Sequence, residues 1–202
     1  MGANQTSAVI LAGGKSRRLG INKAEVLVAG KSMLQRVLDT VQPLFNDVVL
    51  AGAAANLVGA DKLKVVDDEI RDVGPLGGLY TGLGAVRNPR SFCIACDMPM
   101  VTRKLICQLL SVRTERPAAV FRIGGEPQPL CAIYAKTLRP VILEQVESGD
   151  YRLKGLLERV GPLYIELPAC EDVRRSFFNV NSAEDLVQVR AILEEGSGKG
   201  TA

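Results

Sequence analysis

Apolar residues run unbroken from Ala8 to Ala12 and stop at Gly13-Gly14, the pattern of a buried strand over residues 7–12 that enters a loop. Further short apolar runs predict strands over residues 47–51, 63–66 and 91–96, and the last two end on Asp67-Asp68 and Asp97. Between them the period changes. Leu34, Val37, Leu38 and Val41 recur at helical spacing behind Ser32, a helix-capping residue. Residues 75–86 begin with a proline suited to a first helical turn, and Thr102 can cap a helix over 102–112. Strands are predicted at 118–122, 130–134 and 163–167, with helices at 138–147 and 153–160. Ser182-Ala183-Glu184-Asp185 has the form of a capping box and opens a last helix to about residue 193.

Strands and helices alternate through the first half, and several strands are apolar on both faces. That predicts a mostly parallel sheet with helices on both sides, a Rossmann-like three-layer α/β/α domain. Residues 7–195 are expected to form this single domain, with a loose start at 1–6 and a flexible tail at 196–202. In such sheets ligands sit beyond the carboxyl ends of the strands. Gly13, Asp67 and Asp97 all fall at such ends.

Composition narrows the chemistry. Among 202 residues there is no histidine, which removes Ser-His-Asp and Cys-His catalysis, histidine metal ligands and a histidine base. What remains are carboxylates, lysine, arginine, backbone amides and a hard metal ion. Hydrophobic residues make up 47%, enough for a sizeable core, while aromatics are 4% and tryptophan is absent. A net charge of +3 with so few aromatics argues against nucleic acid as a partner. The five cysteines are irregularly spaced, and Cys93 and Cys96 sit in an apolar strand-like run, so the pair reads as core rather than redox or zinc chemistry. No signal peptide or membrane-length apolar stretch is visible, which leads to the expectation of a cytoplasmic protein.

The segment Leu11-Ala12-Gly13-Gly14-Lys15-Ser16-Arg17-Arg18-Leu19-Gly20-Ile21-Asn22-Lys23 concentrates the chemistry. Its glycines permit close backbone approach to a ligand, and amides in such a loop can face phosphate oxygens. Lys15, Arg17, Arg18 and Lys23 add four positive charges with no acid among them, which suits a triphosphate. Two familiar motifs are excluded. A P-loop needs a glycine where Val9 stands, and the dinucleotide fingerprint fails because Gly13 and Gly14 are adjacent.

The loop resembles the signature of the nucleotidyltransferases that charge the molybdenum cofactor, roughly L-A-G-G-x-S-x-R-M-G-x-x-K. It agrees at Leu11, Ala12, Gly13, Gly14, Ser16, Arg18, Gly20 and Lys23, with Leu19 in place of the methionine. Four later segments agree in order: Gly74-Pro75-Leu76-Gly77-Gly78-Leu79, Cys96-Asp97-Met98-Pro99, Pro127 to Tyr134, and Phe178 to Asp185. The resemblance is to the molybdenum cofactor guanylyltransferase family, and it covers nearly the whole chain. It implies a nucleotide-diphospho-sugar transferase-like fold. It also implies transfer of GMP from GTP to the terminal phosphate of molybdenum-bound molybdopterin, with release of pyrophosphate.

The same resemblance implies Mg²⁺ as cofactor, with Asp97 as a metal ligand joined by Asn181. Arg18, Lys23 and Asp97 become the catalytic set. Leu11, Ala12, Gly13, Gly14, Lys23, Asp67 and Asp97 become the nucleotide-binding set. Asp67 is expected to read the base, since a carboxylate accepts two parallel hydrogen bonds from guanine; its neighbour Asp68 is the alternative. Transient contact with molybdenum-insertion proteins and molybdoenzymes is a further expectation, and a membrane partner is not. One departure stands out. The family commonly has an asparagine after the second strand, whereas small residues stand there here and Asn56 follows late. A cytidylyltransferase of the same cofactor, a sugar-phosphate nucleotidyltransferase, and a non-catalytic nucleotide or pterin carrier are the competing readings.

Overall fold

The computed structural model describes residues 5–13, 23–52 and 63–197. The sheet grows outward from β1 (Thr6–Leu11), whose six residues are all buried. Ala8 and Ile10 face one core and Val9 and Leu11 the other, so an unbroken apolar run is what a strand covered on both faces requires. β4 (Val48–Ala51) and β6 (Arg90–Ala95) flank β1 in parallel, and β5 (Lys64–Val66) extends the sheet beyond β4. On the other side come β8 (Glu126–Ala135), β7 (Ala118–Ile123) and β9 (Leu163–Leu167). Among the described residues this makes a seven-stranded sheet in the order β5-β4-β1-β6-β8-β7-β9. β8 is its one antiparallel strand, so the expectation of a mostly parallel sheet holds.

Helices cover both faces. α1 (Met33–Val41) and α3 (Arg103–Ser111) pack on the face that holds Ile10, Phe92 and Phe121. Each begins as its sequence foretells: Ser32 Oγ accepts from the Gln35 amide at 3.1 Å, and Thr102 Oγ1 accepts from the Leu105 amide at 3.4 Å. α2 (Pro75–Ala85), α4 (Arg139–Glu147) and α5 (Leu153–Val160) cover the opposite face. The glycines of α2 have a packing reason. A Cβ at Gly82 would overlap the Val9 side chain, so glycine lets the helix lie directly on β1. Burying aliphatic side chains such as Leu76, Leu79 and Leu83 contributes roughly 1.5–3 kcal/mol each.

Among the described residues, two strands and one α-helix were not read from the sequence, and the last helix runs longer than expected. β2 (Leu27–Val28) and β3 (Lys31–Ser32) form a small hairpin apart from the main sheet, turning through Ala29 and Gly30 at positive φ. α6 (Glu171–Ser176) lies before the final segment. α7 (Ala183–Ser197) runs two residues into the stretch expected to be tail. The Cys93–Cys96 pair is core, as its apolar run implies. Both are free thiols, and burial pushes Cys96 up to about 12. No helix among the described residues is long and apolar enough to cross a membrane.

Candidate active site

The carboxyl edge of the parallel strands is stitched by backbone hydrogen bonds. The Ala12 amide donates to Ala51 O, the Cys96 amide to Leu11 O and the Gly52 amide to Val66 O, each at 2.9 Å. The ends of β1, β4, β5 and β6 are thereby held level, and each delivers a chemical group to the same rim.

One corner is built on Asp97, just past β6. Lys23 Nζ lies 3.2 Å from Asp97 Oδ2 and donates to Asn181 Oδ1 at 2.6 Å. Lys23 stands on a short 3-10 turn, Lys23–Glu25. A separate small core holds this arrangement. Val26 and Val28 beside the turn, Met33 of α1, Val180 and Val189 of α7 are all buried together. The buried Val180 sits between Asn179 and Asn181, and its amide donates to Asp97 O at 2.9 Å. The asparagine segment is thus pinned directly to the aspartate. Asp185, inside the capping box, accepts from the amides of Asn181 and Ser182 at 2.7 and 2.8 Å, which fixes the backbone that carries Asn181.

Asp97 Oδ1 and Asn179 Oδ1 are buried and have no hydrogen-bond partner among the described residues. Buried oxygens left open in this way point to a partner that the described residues do not supply. The donor set is oxygen only, hard, and carries one carboxylate. No three His, Cys, Asp or Glu side chains converge among the described residues. A small hard cation that takes most of its ligands from phosphate and water fits this set; a soft metal does not.

The second corner lies beyond β4 and β5. Asp67 is exposed, while Asp68 turns inward. Its carboxylate is seated among three glycines. A Cβ at Gly52 would stand 3.0 and 3.1 Å from the two Asp68 oxygens, at Gly13 3.4 Å from Oδ2, and at Gly78 3.6 Å from Oδ1. Gly52 also has φ +74° and would bring a Cβ within 2.9 Å of Gly13 Cα, so no side chain fits there. Small residues at the end of β4 are therefore what the Asp68 cradle demands. Asp68 Oδ1 is buried with no partner among the described residues. Burial, then the neighbouring Asp67 charge, raises its carboxyl above the ordinary range, against a smaller opposing pull from Arg71. The loop bearing Asp68 is strapped from behind. The Glu69 amide donates to the buried Thr81 hydroxyl at 2.8 Å, and Arg139 Nη2 donates to Glu69 Oε2 at 2.7 Å while lying 4.1 Å over the Tyr80 ring.

Of the residues singled out in the sequence, Leu11, Ala12 and Gly13 lie on this rim, and Lys23, Asp97 and Asn181 meet in one cluster. Asp67 is exposed, and it is Asp68 that lies against the glycines. Gly14, Lys15, Arg17, Arg18 and Asn56 lie outside the described residues. Asn179 (the alternative to Asn181, two positions away), Gly52, Asp185 and the Thr81–Glu69–Arg139 strap were not assigned to the site from the sequence. The alternation around Val180 and the spacing from Ser182 to Asp185 carry a signal for the first and third of them.

Solved structures share this fold. The molybdopterin-guanine dinucleotide biosynthesis protein A of Archaeoglobus fulgidus matches with a TM-score of 0.77 at 24% identity, over 94% of this chain and 100% of that one. A putative protein of Aquifex aeolicus matches with a TM-score of 0.75 at 29% identity, over 90% and 96%. The 2-C-methyl-D-erythritol 4-phosphate cytidylyltransferase of Thermus thermophilus shares the fold at a TM-score of 0.69 and 16% identity, over 94% and 99%. The fold and the rim together define a nucleotidyltransferase. A family model described as the MobA-like NTP transferase domain matches residues 8–163, and the chain belongs to that family. A probable molybdenum cofactor guanylyltransferase of Pelotomaculum thermopropionicum is 33% identical over 193 residues, 94% of each chain. Another, from Aquifex aeolicus, is 31% identical over 91% of this chain and 89% of its own.

Proposed function

We propose that this protein transfers GMP from GTP to the terminal phosphate of molybdenum-bound molybdopterin, releasing pyrophosphate and leaving the guanine dinucleotide form of the cofactor. The observation that carries this reading is the pair of open, buried carboxylate oxygens on one sheet edge, Asp97 Oδ1 and Asp68 Oδ1. Asp97 stands beside Lys23, which also reaches the Asn181 oxygen; Asp68 stands in a glycine cradle. Phosphate chemistry belongs at the first corner and base recognition at the second. The names of the relatives supply the acceptor.

Asp68, rather than Asp67, is assigned the base. An inward carboxylate with no side-chain donor in its cradle among the described residues is matched by guanine, whose N1–H and N2–H₂ offer two parallel donors; adenine and cytosine present no such pair. Asp97 with Asn181 would hold Mg²⁺, which when bound polarises the α-phosphate and screens the charge of the triphosphate. Lys23, with Arg18 in the adjoining loop, binds the phosphate oxygens. The attacking phosphate is already an anion, so the chain's task is to align it with the α-phosphorus and to balance charge, and a histidine base is not required. Arg122 and Gln128, on the β7–β8 hairpin at the same edge of the sheet, stand where an anionic pterin acceptor would be met. Work in the cytoplasm and transient contact with molybdenum-insertion proteins and molybdoenzymes belong to the same proposal.

The test is pyrophosphate release from the four ribonucleoside triphosphates with Mg²⁺ and molybdenum-bound molybdopterin. GTP is expected to be preferred at least about a hundredfold over ATP. Preference for CTP would refute the base assignment and make the protein a cytidylyltransferase. Binding of GTP without turnover would make it a carrier.

A further inference from the structure

We propose that the Lys23 ammonium and a divalent cation are alternative occupants of the same oxygen pair, Asp97 Oδ2 and Asn181 Oδ1, so that the metal enters with a triphosphate that takes over the lysine. The proposal rests on the nucleotidyl-transfer reading of this edge and goes beyond it, to the order in which the site is filled.

Lys23 reaches across 74 residues to Asp97 and 158 to Asn181, and its ammonium stands between the two oxygens at 3.2 and 2.6 Å. These are the two side chains whose chemistry suits a hard cation. The Lys23 side chain is 19% exposed and that of Asp97 17%, so the pair is shielded from bulk water on most sides. A divalent ion placed on the same oxygens would bring three positive charges together, which Asp97 and the more distant Asp185 do not offset. The two cations therefore exclude each other while these two carboxylates are the local anions.

The exchange is built into the fold. The small core beneath Val26 and Val180 fixes the backbones of the lysine turn and the asparagine segment, while the four-carbon lysine stem lets Nζ move. The ammonium also leaves Asp97 incompletely satisfied, because Oδ1 stays buried and open. A divalent ion with its waters can reach both carboxylate oxygens, but only once the lysine has another anion to turn to. Triphosphate oxygens are that anion. Nucleotide-free protein is thus held balanced by its own lysine and binds metal weakly. Metal and nucleoside triphosphate strengthen each other's binding by the same factor.

Mn²⁺ binding to the nucleotide-free full chain, read as loss of the free-ion electron paramagnetic resonance signal, tests this directly. Lys23→Met and Lys23→Gln are expected to bind Mn²⁺ about tenfold more tightly than the unsubstituted protein. The gain is expected to vanish when Asp97→Asn is added. Two substitutions at Lys23 guard against one failing to fold, with circular dichroism as the check. If the unsubstituted protein binds Mn²⁺ as tightly as the Lys23 variants, or if the gain survives Asp97→Asn, the exchange is overturned. Pyrophosphate release by Asp97→Asn alone separates the two layers. An inactive variant alongside unchanged Mn²⁺ affinity in Lys23→Met removes only the exchange, whereas an active one removes the reading of the site.

Discussion

Asp97 and Asp68 invite comparison because they begin alike and end differently. Each follows a parallel strand at the same edge, and each leaves its Oδ1 buried without a partner among the described residues. Around Asp97 the chain gathers a cation shared with the Asn181 amide oxygen and a backbone clasp from Val180. Around Asp68 it gathers glycine backbone and a second acid, so the carboxyl is raised rather than relieved. On the proposed reading the contrast follows from the ligands. An acid that will face a metal and phosphates can wait with its charge balanced by a lysine. An acid that will face neutral N–H donors must wait unbalanced, because any resident cation would compete with the base. The first arrangement carries a counter-charge of its own in the free protein. The second is a local destabilisation that the fold carries for recognition.

The largest effect that would break the comparison lies at Asp97. Asp97→Ala is expected to lower pyrophosphate release from GTP by about a thousandfold or more, with the circular dichroism spectrum unchanged. Turnover within tenfold of the unsubstituted protein would remove Asp97 from the chemistry.

At Asp68 the expected change is smaller and of another kind. Asp68→Asn is expected to lower kcat/KM for GTP roughly a hundredfold, while ITP, which lacks the 2-amino group, loses less. Stability moves the other way. The folded carboxyl titrates above its unfolded value, so as pH rises the unfolded chain loses its proton first. Ionised Asp68 then weakens the fold from about pH 4 upward, and fully above its raised folded pKa. Asn removes that penalty at pH 7 and has nothing to remove below about pH 3. A rise in Tm of roughly 1–3 °C at pH 7 is expected, absent at pH 3. A fall in Tm at pH 7 would contradict the picture of a strained recognition acid.

Strapping by Arg139 should matter less than either acid. Arg139→Met removes the guanidinium from over Tyr80 and drops the bond to Glu69, and through Glu69 it loosens the loop that carries Asp68. KM for GTP is expected to rise about three- to tenfold with kcat nearly unchanged, and Arg139→Lys to restore part of it. Equal losses in kcat for GTP and ITP would mean a general structural role instead.

Much of this was legible from the chain alone, for reasons tied to particular residues. The acids at 67, 68 and 97 can be found because apolar runs end on them, and the helix starts at Ser32 and Thr102 because capping is local. The carboxyl edge follows from strands apolar on both faces. Parity was not legible. β5 is three residues long and half-buried, so its pattern does not decide whether Asp67 or Asp68 turns inward. That outcome is set by Gly13, Gly52 and Gly78, which come from three other elements. The meeting of Lys23 with Asn181 was equally out of reach, since it depends on Val26, Val28, Val180 and Val189 packing together across most of the chain. The β2–β3 hairpin escaped because its strands are two residues each, although Ala29-Gly30 between short apolar stretches marks the turn.

The smallest effect is expected at Asp67, and it sharpens the contrast most. Asp67 is exposed and outside the glycine cradle, so Asp67→Asn should change kcat/KM for GTP less than about threefold at pH 7–8, against the roughly hundredfold loss at Asp68. Its influence is electrostatic. The Asp67 charge is the second cause, after burial, of the raised Asp68 carboxyl, and neutralising it brings Asp68 closer to an ordinary aspartate. Asp68 must be ionised to accept from both guanine donors, so the acid limb of kcat/KM for GTP reflects its titration in the free enzyme. Asp67→Asn is therefore expected to move that limb to lower pH and to leave the plateau in place. A hundredfold loss on the plateau would return the base contact to Asp67. An unmoved limb with an unmoved plateau would mean that burial alone sets Asp68, and that the adjacent acid has no part in tuning it.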